Sequence, residues 1–181
     1  DVVFDKTGTL THGELRVAAA RVLGARPIGQ CEALARALEA ASEHPVARAL
    51  IRHSDAAQTG AGAAGRVSSH PGRGVEGDVD GVRYRLGSRA FCDELAQVSC
   101  DNAPAPHAGA TVVYLVSAGA WLAQFELADT VKPGAAALVR RLEAMGKRIH
   151  LLSGDAEGPV RAVARSVGRR PALPRVRLRR H

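Results

Sequence analysis

Aromatic side chains and cysteines are scarce in this sequence. Phe, Trp and Tyr together make up 3% of the 181 residues, so aliphatic and alanine side chains must form any packed core. The three cysteines are odd in number and contain no C-x-x-C pair, which argues against a disulfide framework. We therefore expect reduced thiols, buried as small apolar side chains, in a reducing cytosolic setting.

Long apolar runs are also missing. The sequence has no stretch of about 18 or more apolar residues, which is the length that a membrane-spanning helix requires. Its opening residues, D-V-V-F-D, lack the charged and apolar regions of a signal peptide. We therefore predict a segment without transmembrane helices.

Acidic residues are absent from one end of the chain. Residues 161–181 contain eight arginines and no Asp or Glu, whereas the other 160 residues contain 17 basic and 18 acidic side chains. The net charge of +7 is therefore a property of this end alone. Basic tails bind nucleic acid or anionic lipid, but no aromatic residue is interleaved with these arginines. We therefore expect no nucleic-acid partner.

Two short apolar runs are typical of parallel strands buried on both faces. They cover residues 1–5 and 148–152, and the second lies between two predicted helices. Asp129 or Thr130 is predicted to cap the first of these helices, with Pro133 in its first turn. The predicted apolar face of that helix comprises Ala135, Leu138, Val139, Leu142 and Met145. This helix–strand–helix order indicates a parallel α/β sheet.

The middle of the chain has a different pattern. Helices are predicted over residues 30–41 and from Pro45 onward, followed by a flexible connection over residues 54–65. Alternating apolar residues then predict two antiparallel hairpins, which turn at Asp80-Gly81 and at residues 117–119. We therefore predict an α/β domain interrupted by an α+β insertion, followed by a basic tail. The predicted boundaries are 1–14, 15–127, 128–168 and 169–181.

Polar residues lie at the carboxyl ends of the two predicted parallel strands. Asp5 ends the first strand and Ser153 follows the second, and ligand sites of parallel sheets lie at this edge. Gly8 and Gly154 let backbone N–H groups approach a phosphate closely. Asp5 is then a candidate carboxylate nucleophile toward a phosphoryl group, whose charge Lys6 and Mg²⁺ would neutralise. On spacing alone, an ordinary turn or cap role for Asp5 stays open.

The complete string D-K-T-G-T-L-T, residues 5–11, resembles the phosphorylation signature of P-type ATPases, within the haloacid-dehalogenase-like superfamily. The resemblance implies an incomplete Rossmann-like phosphorylation domain with an inserted nucleotide-binding domain built on an antiparallel α+β sheet. It also implies that ATP phosphorylates Asp5, that Lys6 is catalytic, and that Asp5 and the Thr7 backbone carbonyl bind Mg²⁺.

Two further segments match the same family in the family's order. L-L-S-G-D resembles its second phosphate-binding motif, which implies catalytic roles for Ser153 and Asp155. A-D-T-V-K-P resembles the D-x-x-K/R-P segment that joins the nucleotide-binding domain back to the phosphorylation domain. This match places Asp129 and Lys132 near the active site and assigns them to ATP binding.

The segment S-E-H-P, residues 42–45, resembles the signature of the heavy-metal-transporting branch. The resemblance implies that His44 orients the adenine of ATP and that Glu39, about one turn upstream, assists it. Glu43, within the same segment, is assigned to the same site.

A glycine turn also fits this branch. Gly72-Arg73-Gly74 matches the family's G-x-G turn beside the nucleotide, which assigns Gly72 and Gly74 to ATP binding. Gly87-Ser88 stands where the family usually has Gly-Asn, so the hydrogen bond of an Asn side chain is not expected here.

The chain departs from the family after Asp155. The family's later lysine segment and its G-D-G-x-N-D loop, which supplies the other Mg²⁺ carboxylates, do not occur. The arginine- and proline-rich text of residues 169–181 resembles a GC-rich coding sequence read out of frame, and a genuine basic tail is the alternative. We expect such a fragment to bind ATP weakly and to be inactive as an ATPase.

The resemblance implies an ATP-driven pump for a heavy-metal ion, with Cu⁺ favoured over Ag⁺, Zn²⁺, Cd²⁺ and Pb²⁺. The segment is then expected at the cytosolic face of a membrane, a bacterial inner membrane, that the protein crosses through helices outside this chain. The alternative is a soluble phosphatase of the same superfamily. Such enzymes carry D-x-D-x-T, and Thr7 occupies the position of the acid that protonates their leaving group.

Overall fold

The computed structural model describes residues 1–5, 9–54, 61–107 and 109–152. Within them the strands, in chain order, are β1 (Val2–Asp5), β2 (Thr11–Val22), β3 (Gly65–His70), β4 (Gly74–Val79), β5 (Val82–Gly87), β6 (Thr111–Ser117), β7 (Ala120–Val131) and β8 (Ile149–Leu152). The helices are α1 (Ile28–Glu39), α2 (Pro45–His53), α3 (Arg89–Ala96) and α4 (Ala135–Ala144).

The described residues fall into two compact units. Unit 1 contains residues 1–14, 107–110 and those from 128 onward, and unit 2 contains residues 15–106 and 111–127. Both β2 and β7 include residues of each unit. No helix among the described residues has the length and apolar character needed to cross a membrane.

Unit 1 is organised around a parallel pair of short strands. β1 pairs in parallel with β8, and Asp5 is the register partner of Leu152. The buried core of the unit comprises Leu10, Ala135, Val139 and Ile149. Val3 is 54% exposed, so the predicted burial of both faces of β1 is not seen within the described residues. The predicted parallel pairing itself is confirmed.

The start of α4 differs from the prediction that Asp129 or Thr130 caps it. Strand β7 continues to Val131, and the residue before the helix is Gly134, whose φ of 86° suits glycine and provides no side-chain cap. Asp129 has other partners, because its carboxylate accepts hydrogen bonds from Thr11 Oγ1 at 2.5 Å and from the Gly13 amide at 3.1 Å. These partners lie in β2, so tertiary pairing keeps residue 129 in the strand.

The predicted apolar face of α4 is too wide. Ala135 and Val139 are buried and Leu142 packs against them, but Leu138 and Met145 are 46% and 63% exposed. At 3.6 residues per turn, Leu138 and Met145 both lie on the same side of the buried stripe. Gly146, with φ of 73°, follows the end of the helix, where glycine commonly ends helices.

Unit 2 contains most of a six-stranded sheet in the order β2-β7-β6-β5-β4-β3. The pairs β3–β4, β4–β5, β5–β6 and β6–β7 are antiparallel. Asp80 and Gly81 have φ of 50° and 77°, as the predicted type I′ turn between β4 and β5 requires. The two predicted hairpins and the inserted antiparallel α+β fold are therefore confirmed.

Three elements of the chain were not predicted. β2 begins at Thr11, the last residue of the signature string, β3 begins at Gly65, where the expected flexible connection ends, and α3 follows β5. β3 is largely exposed along its length, so it has no alternation of apolar residues to indicate a strand. α3 has only eight residues, too few for a helical period to stand out, and its Ser88 cap is the one local signal for it.

Helices cover both faces of the unit 2 sheet. Alternate residues of a strand point to opposite faces, and along β6 the side chains of Val113 and Leu115 pack with α1 and α2. Tyr114 and Val116 pack instead with Cys92 and the rest of α3. All three cysteines are free and buried, as expected from their number and spacing.

Candidate functional site

Unit 2 contains a cavity of about 370 Å³ where several loops and helix ends meet. Its walls are formed by four parts of the chain: the end of α1, the start of α2, the turn between β3 and β4, and the junction between β5 and α3. The polar and glycine residues that line it include Glu39, Ser42, His44, Ser69, His70, Gly72, Arg73, Gly74, Gly87, Ser88 and Thr111. Four of the predicted nucleotide residues, Glu39, His44, Gly72 and Gly74, are therefore brought together in one cavity.

His44 is the N-cap residue of α2. Its Nδ1 accepts a hydrogen bond from the Val46 amide at 3.3 Å, and Pro45 at the first helical position satisfies the expected start of the helix. A ring that accepts a hydrogen bond at Nδ1 carries its proton at Nε2 when neutral. The cap thus fixes the tautomer and makes Nε2 a hydrogen-bond donor. Glu43, in contrast, is largely exposed, pairs with Arg48 at 2.8 Å and does not line the cavity.

Glu39 is a buried acid on the cavity wall. The residue is 6% exposed, and its Oε2 has no hydrogen-bond partner. Burial raises the pKa of this carboxyl, while a hydrogen bond with Ser42 and the proximity of His44 oppose the rise. A buried polar atom without a partner is costly, so this oxygen indicates a place where a ligand donor is expected.

The turn between β3 and β4 needs its glycines. Gly72 and Gly74 have φ of 71° and 144°, which L-residues rarely adopt. A Cβ atom at Gly87 would collide with the carbonyl oxygen of Arg73, and one at Gly74 with the backbone of β5. The Ser88 amide donates to that same Arg73 oxygen at 2.7 Å. The two glycine motifs thus pack backbone against backbone at the cavity wall.

Ser88 explains part of the departure from Gly-Asn. Its Oγ accepts a hydrogen bond from the Phe91 amide at 3.4 Å and so caps α3. Ser88 also lines the cavity. A second missed contributor is His70, which lines the cavity and packs on the Phe91 ring at 4.9 Å between ring centroids. Nothing in the local sequence marks His70 as a cavity residue.

The predicted phosphoryl-transfer residues belong to unit 1. Asp5 ends β1 beside Leu152, the residue that precedes Ser153 in the chain. Lys6, Thr7, Ser153 and Asp155 lie outside the described residues.

The A-D-T-V-K-P segment also lies in unit 1, against the last residues of the signature string and Gly13. The Lys132 amide donates to the Leu10 carbonyl at 2.8 Å, and the Asp129 carboxylate accepts from Thr11 and Gly13. Residues 129–132 thus stand next to residues 10–13, within a few positions of Asp5 along the chain.

Comparison with known families agrees with this arrangement. The family profile described as haloacid dehalogenase-like hydrolase matches residues 2–177. The chain belongs to this family. The match covers nearly the whole chain, and the predicted α/β fold class is confirmed with it.

Its relatives within this family are metal-transporting ATPases. The chain is 34% identical to the probable copper-transporting ATPase PacS of Synechococcus elongatus, over 97% of this chain and 24% of that protein. It is also 34% identical to the probable copper-exporting P-type ATPase V of Mycobacterium tuberculosis, over 97% of this chain and 23% of that protein. The resemblance to heavy-metal P-type ATPases is confirmed, and the chain spans about a quarter of these relatives.

Solved structures similar to this chain are also named as P-type ATPases. A zinc-transporting PIB-type ATPase in the E2.Pi state aligns with a TM-score of 0.78 and 30% identity, over 93% of this chain and 28% of that chain. The N-domain of HMA6, a copper-transporting P-type ATPase, aligns with a TM-score of 0.53 and 18% identity, over 63% of this chain and 98% of that chain. The second likeness concerns the fold alone.

Proposed function

We propose that this chain is the ATP-binding and phosphorylation part of a heavy-metal pump that works through an aspartyl phosphate at Asp5. The observation that carries the proposal is the unit 2 cavity, where Glu39 and His44 meet the Gly72–Gly74 turn, which is distant from them in the sequence. We further propose that residues 15–127 form the nucleotide-binding domain, inserted between the parts 1–14 and 128–168 of the phosphorylation domain.

The cavity has the chemistry to recognise adenine. His44 offers an N–H donor at Nε2, and adenine has ring nitrogens that accept hydrogen bonds. The unpaired Oε2 of Glu39 is an acceptor, and adenine has an exocyclic amine that donates. Guanine has a carbonyl oxygen where adenine has this amine, so a carboxylate there leaves two acceptors facing each other.

The chemical step is assigned to the end of β1. A carboxylate oxygen of Asp5 forms a bond to the γ-phosphorus of ATP while the bond to the β,γ-bridging oxygen breaks, and ADP leaves with that electron pair. Lys6, Ser153 and Asp155 are proposed to act with Asp5 as catalytic residues on the transferred phosphoryl group. Asp129 and Lys132 are proposed to take part in ATP binding.

Oxygen donors suit the divalent cation that this reaction uses. The Asp5 carboxylate and the Thr7 carbonyl are the hard oxygen ligands that Mg²⁺ prefers, so these residues are proposed to hold it. When bound, Mg²⁺ neutralises phosphate charge.

The transported ion is proposed to be Cu⁺. The two relatives quoted above are named as copper transporters, whereas the structure at 30% identity is named as a zinc transporter. The described segment would then lie at the cytosolic face of a membrane, a bacterial inner membrane, with the metal ion and the lipid bilayer as partners of the longer protein.

Calorimetric titration of the full 181-residue chain with ATP and GTP tests the nucleotide site. We expect ATP to bind more tightly than GTP and His44→Asn to weaken ATP binding roughly tenfold, because Asn can still cap α2 but is too short to offer a donor at the position of Nε2. His53→Asn is the matched control, since His53 pairs with Glu32 at 3.2 Å and does not line the cavity. Equal ATP affinity in both variants would contradict the proposal.

A further inference from the structure

Charge in the unit 2 cavity is unevenly distributed. Among the described residues that line it, Arg73 is the one Lys or Arg and Glu39 is the one acid. They lie on different elements, Arg73 in the turn before β4 and Glu39 at the end of α1. A polyanionic ligand chain avoids the carboxylate and approaches the guanidinium. The acid and the cation therefore belong to different walls of the cavity.

Arg73 is held firmly by its backbone. Its amide donates to the His70 carbonyl at 2.9 Å, and its own carbonyl accepts from the Ser88 amide at 2.7 Å. The guanidinium carbon lies 5.0 Å from the centroid of the Phe91 ring, and Phe91 is 1% exposed. A side chain fixed in this way loses little conformational entropy when it binds a ligand.

The guanidinium keeps donors for a ligand. Arg73 Nη2 donates to Glu94 Oε1, and the side chain is 46% exposed. A guanidinium has five N–H donors, of which this contact uses one. Planar guanidinium groups match the geometry of phosphate oxygens, and they bind them with two parallel hydrogen bonds.

Glu94 does not depend on Arg73 alone. Its Oε2 accepts from Arg85 Nη1 at 3.0 Å, and Arg85 also pairs with Glu76 and lies 4.4 Å from the Phe91 centroid. Desolvation opposes ionisation of Glu94, but its hydrogen bonds to Arg85 and Arg73 together lower the pKa of this carboxyl. If the Arg73 guanidinium bound another anion, Glu94 would still have Arg85 as a cationic partner.

We propose that Arg73 binds the phosphate chain of the nucleotide, and that Glu94 shares this guanidinium and weakens its hold on the phosphates. The proposal rests on the proposed function, because it takes the cavity to be a nucleotide site. It makes Arg73 a determinant of selectivity for triphosphate over nucleoside, a property that the base-contacting residues Glu39 and His44 do not control.

Titration of the full chain with ATP and with adenosine, both without Mg²⁺, separates phosphate contacts from base contacts. Arg73→Gln is expected to weaken ATP binding roughly tenfold and to change adenosine binding less than about twofold, because a charge-assisted phosphate contact is lost. Glu94→Gln is expected to tighten ATP binding about threefold and to leave adenosine binding unchanged, because it removes the negative charge that competes with the phosphates for Arg73. Added KCl screens the charge contact, so it should reduce the ratio of ATP affinity to adenosine affinity in the native chain. The same ratio in Arg73→Gln should stay nearly constant.

Arg83→Gln is the matched control. It removes the same charge from the neighbouring strand β5, where Arg83 pairs with Asp78 at 3.4 Å and does not line the cavity. The inference is wrong if Arg73→Gln weakens the binding of ATP and of adenosine equally. It is also wrong if Glu94→Gln lowers the ratio of ATP affinity to adenosine affinity. In either case the two residues only shape the turn. If the native chain binds neither ligand, the proposed nucleotide site is itself wrong.

Discussion

Replacing Glu39 with Gln should stabilise the protein and weaken its ligand binding. The carboxylate is 6% exposed and its Oε2 has no partner, so the ionised form loses hydration without a compensating hydrogen bond. Leaving a buried polar atom unsatisfied costs about 1–3 kcal/mol. Gln is neutral and keeps a group that can bond with Ser42, so we expect about 1 kcal/mol of added stability at neutral pH. A residue that costs stability at a cavity wall is typical of a binding site.

The stability gained by Glu39→Gln should increase as the pH rises. Burial raises the pKa of Glu39 above its ordinary value near 4.5, so the folded state binds a proton more tightly than the unfolded state does. Stability from this group is therefore greatest below the unfolded pKa and falls as pH rises through the folded pKa. Near pH 4 most of the Glu39 carboxyl is neutral in both states, so the variant and native proteins should be closest in stability there. The advantage of Glu39→Gln should develop above that pH.

Urea unfolding from pH 4 to pH 8 measures this difference. The single tryptophan, Trp121, is 5% exposed in unit 2 and reports unfolding of that unit by fluorescence. Glu43→Gln is the control, because Glu43 is exposed and pairs with Arg48. In parallel, ATP affinity of Glu39→Gln should fall about tenfold at pH 7. A stability difference that is flat across pH, or of the opposite sign at pH 8, would refute the reasoning.

Three further outcomes are expected from the described contacts. Gly87→Ala should lower stability by about 1–3 kcal/mol and abolish ATP binding, because its Cβ collides with the Arg73 carbonyl; thermal unfolding and calorimetry measure both effects. Burial raises the pKa of the Cys31 thiol to about 11 and of the Cys92 thiol to about 12, so a thiol reagent at pH 8 should label them only after urea unfolding. Asp129→Ala should lower stability by about 1–2 kcal/mol and speed amide exchange in the start of β2, where its two hydrogen-bond donors lie.

Patterns that depend on neighbouring residues were predictable from the sequence. Asp80-Gly81 between alternating apolar runs predicts a tight hairpin, and both residues have the positive φ that such a turn needs. Pro45 after a polar residue predicts the first turn of α2, and the helix begins there. The short apolar runs at residues 1–5 and 148–152 predict parallel strands, and the strands β1 and β8 within them pair in parallel.

Features created by distant contacts were not predictable. Asp129 is a good cap residue by type, but hydrogen bonds from β2, more than 110 positions earlier, hold it in a strand. The edge strand β3 is largely exposed, so its sequence has no alternation of apolar residues. Only its pairing with β4 identifies it as a strand. The sequence motifs indicated Glu39 and His44 as site residues, but the unpaired oxygen and the Arg73–Glu94 contact emerge only from packing.

Ser88 offers a test of how this site differs from the family's usual Gly-Asn pair. Its Oγ caps α3 at the Phe91 amide, and its residue also lines the cavity. Asn caps helices about as well as Ser does, and its amide has donors that remain available while the oxygen caps. Ser88→Asn should therefore keep stability within about 0.5 kcal/mol and tighten ATP binding about threefold.

Ser88→Ala separates the two roles of this position. Loss of the cap should cost about 1 kcal/mol in urea unfolding, with little change in ATP affinity, because the Ser88 amide still donates to the Arg73 carbonyl. If Ser88→Asn destabilises the protein as much as Ser88→Ala does, the larger side chain cannot cap α3 beside this cavity. If it leaves ATP affinity unchanged, the side chain at position 88 does not contact the ligand, and the difference from Gly-Asn concerns the helix cap alone.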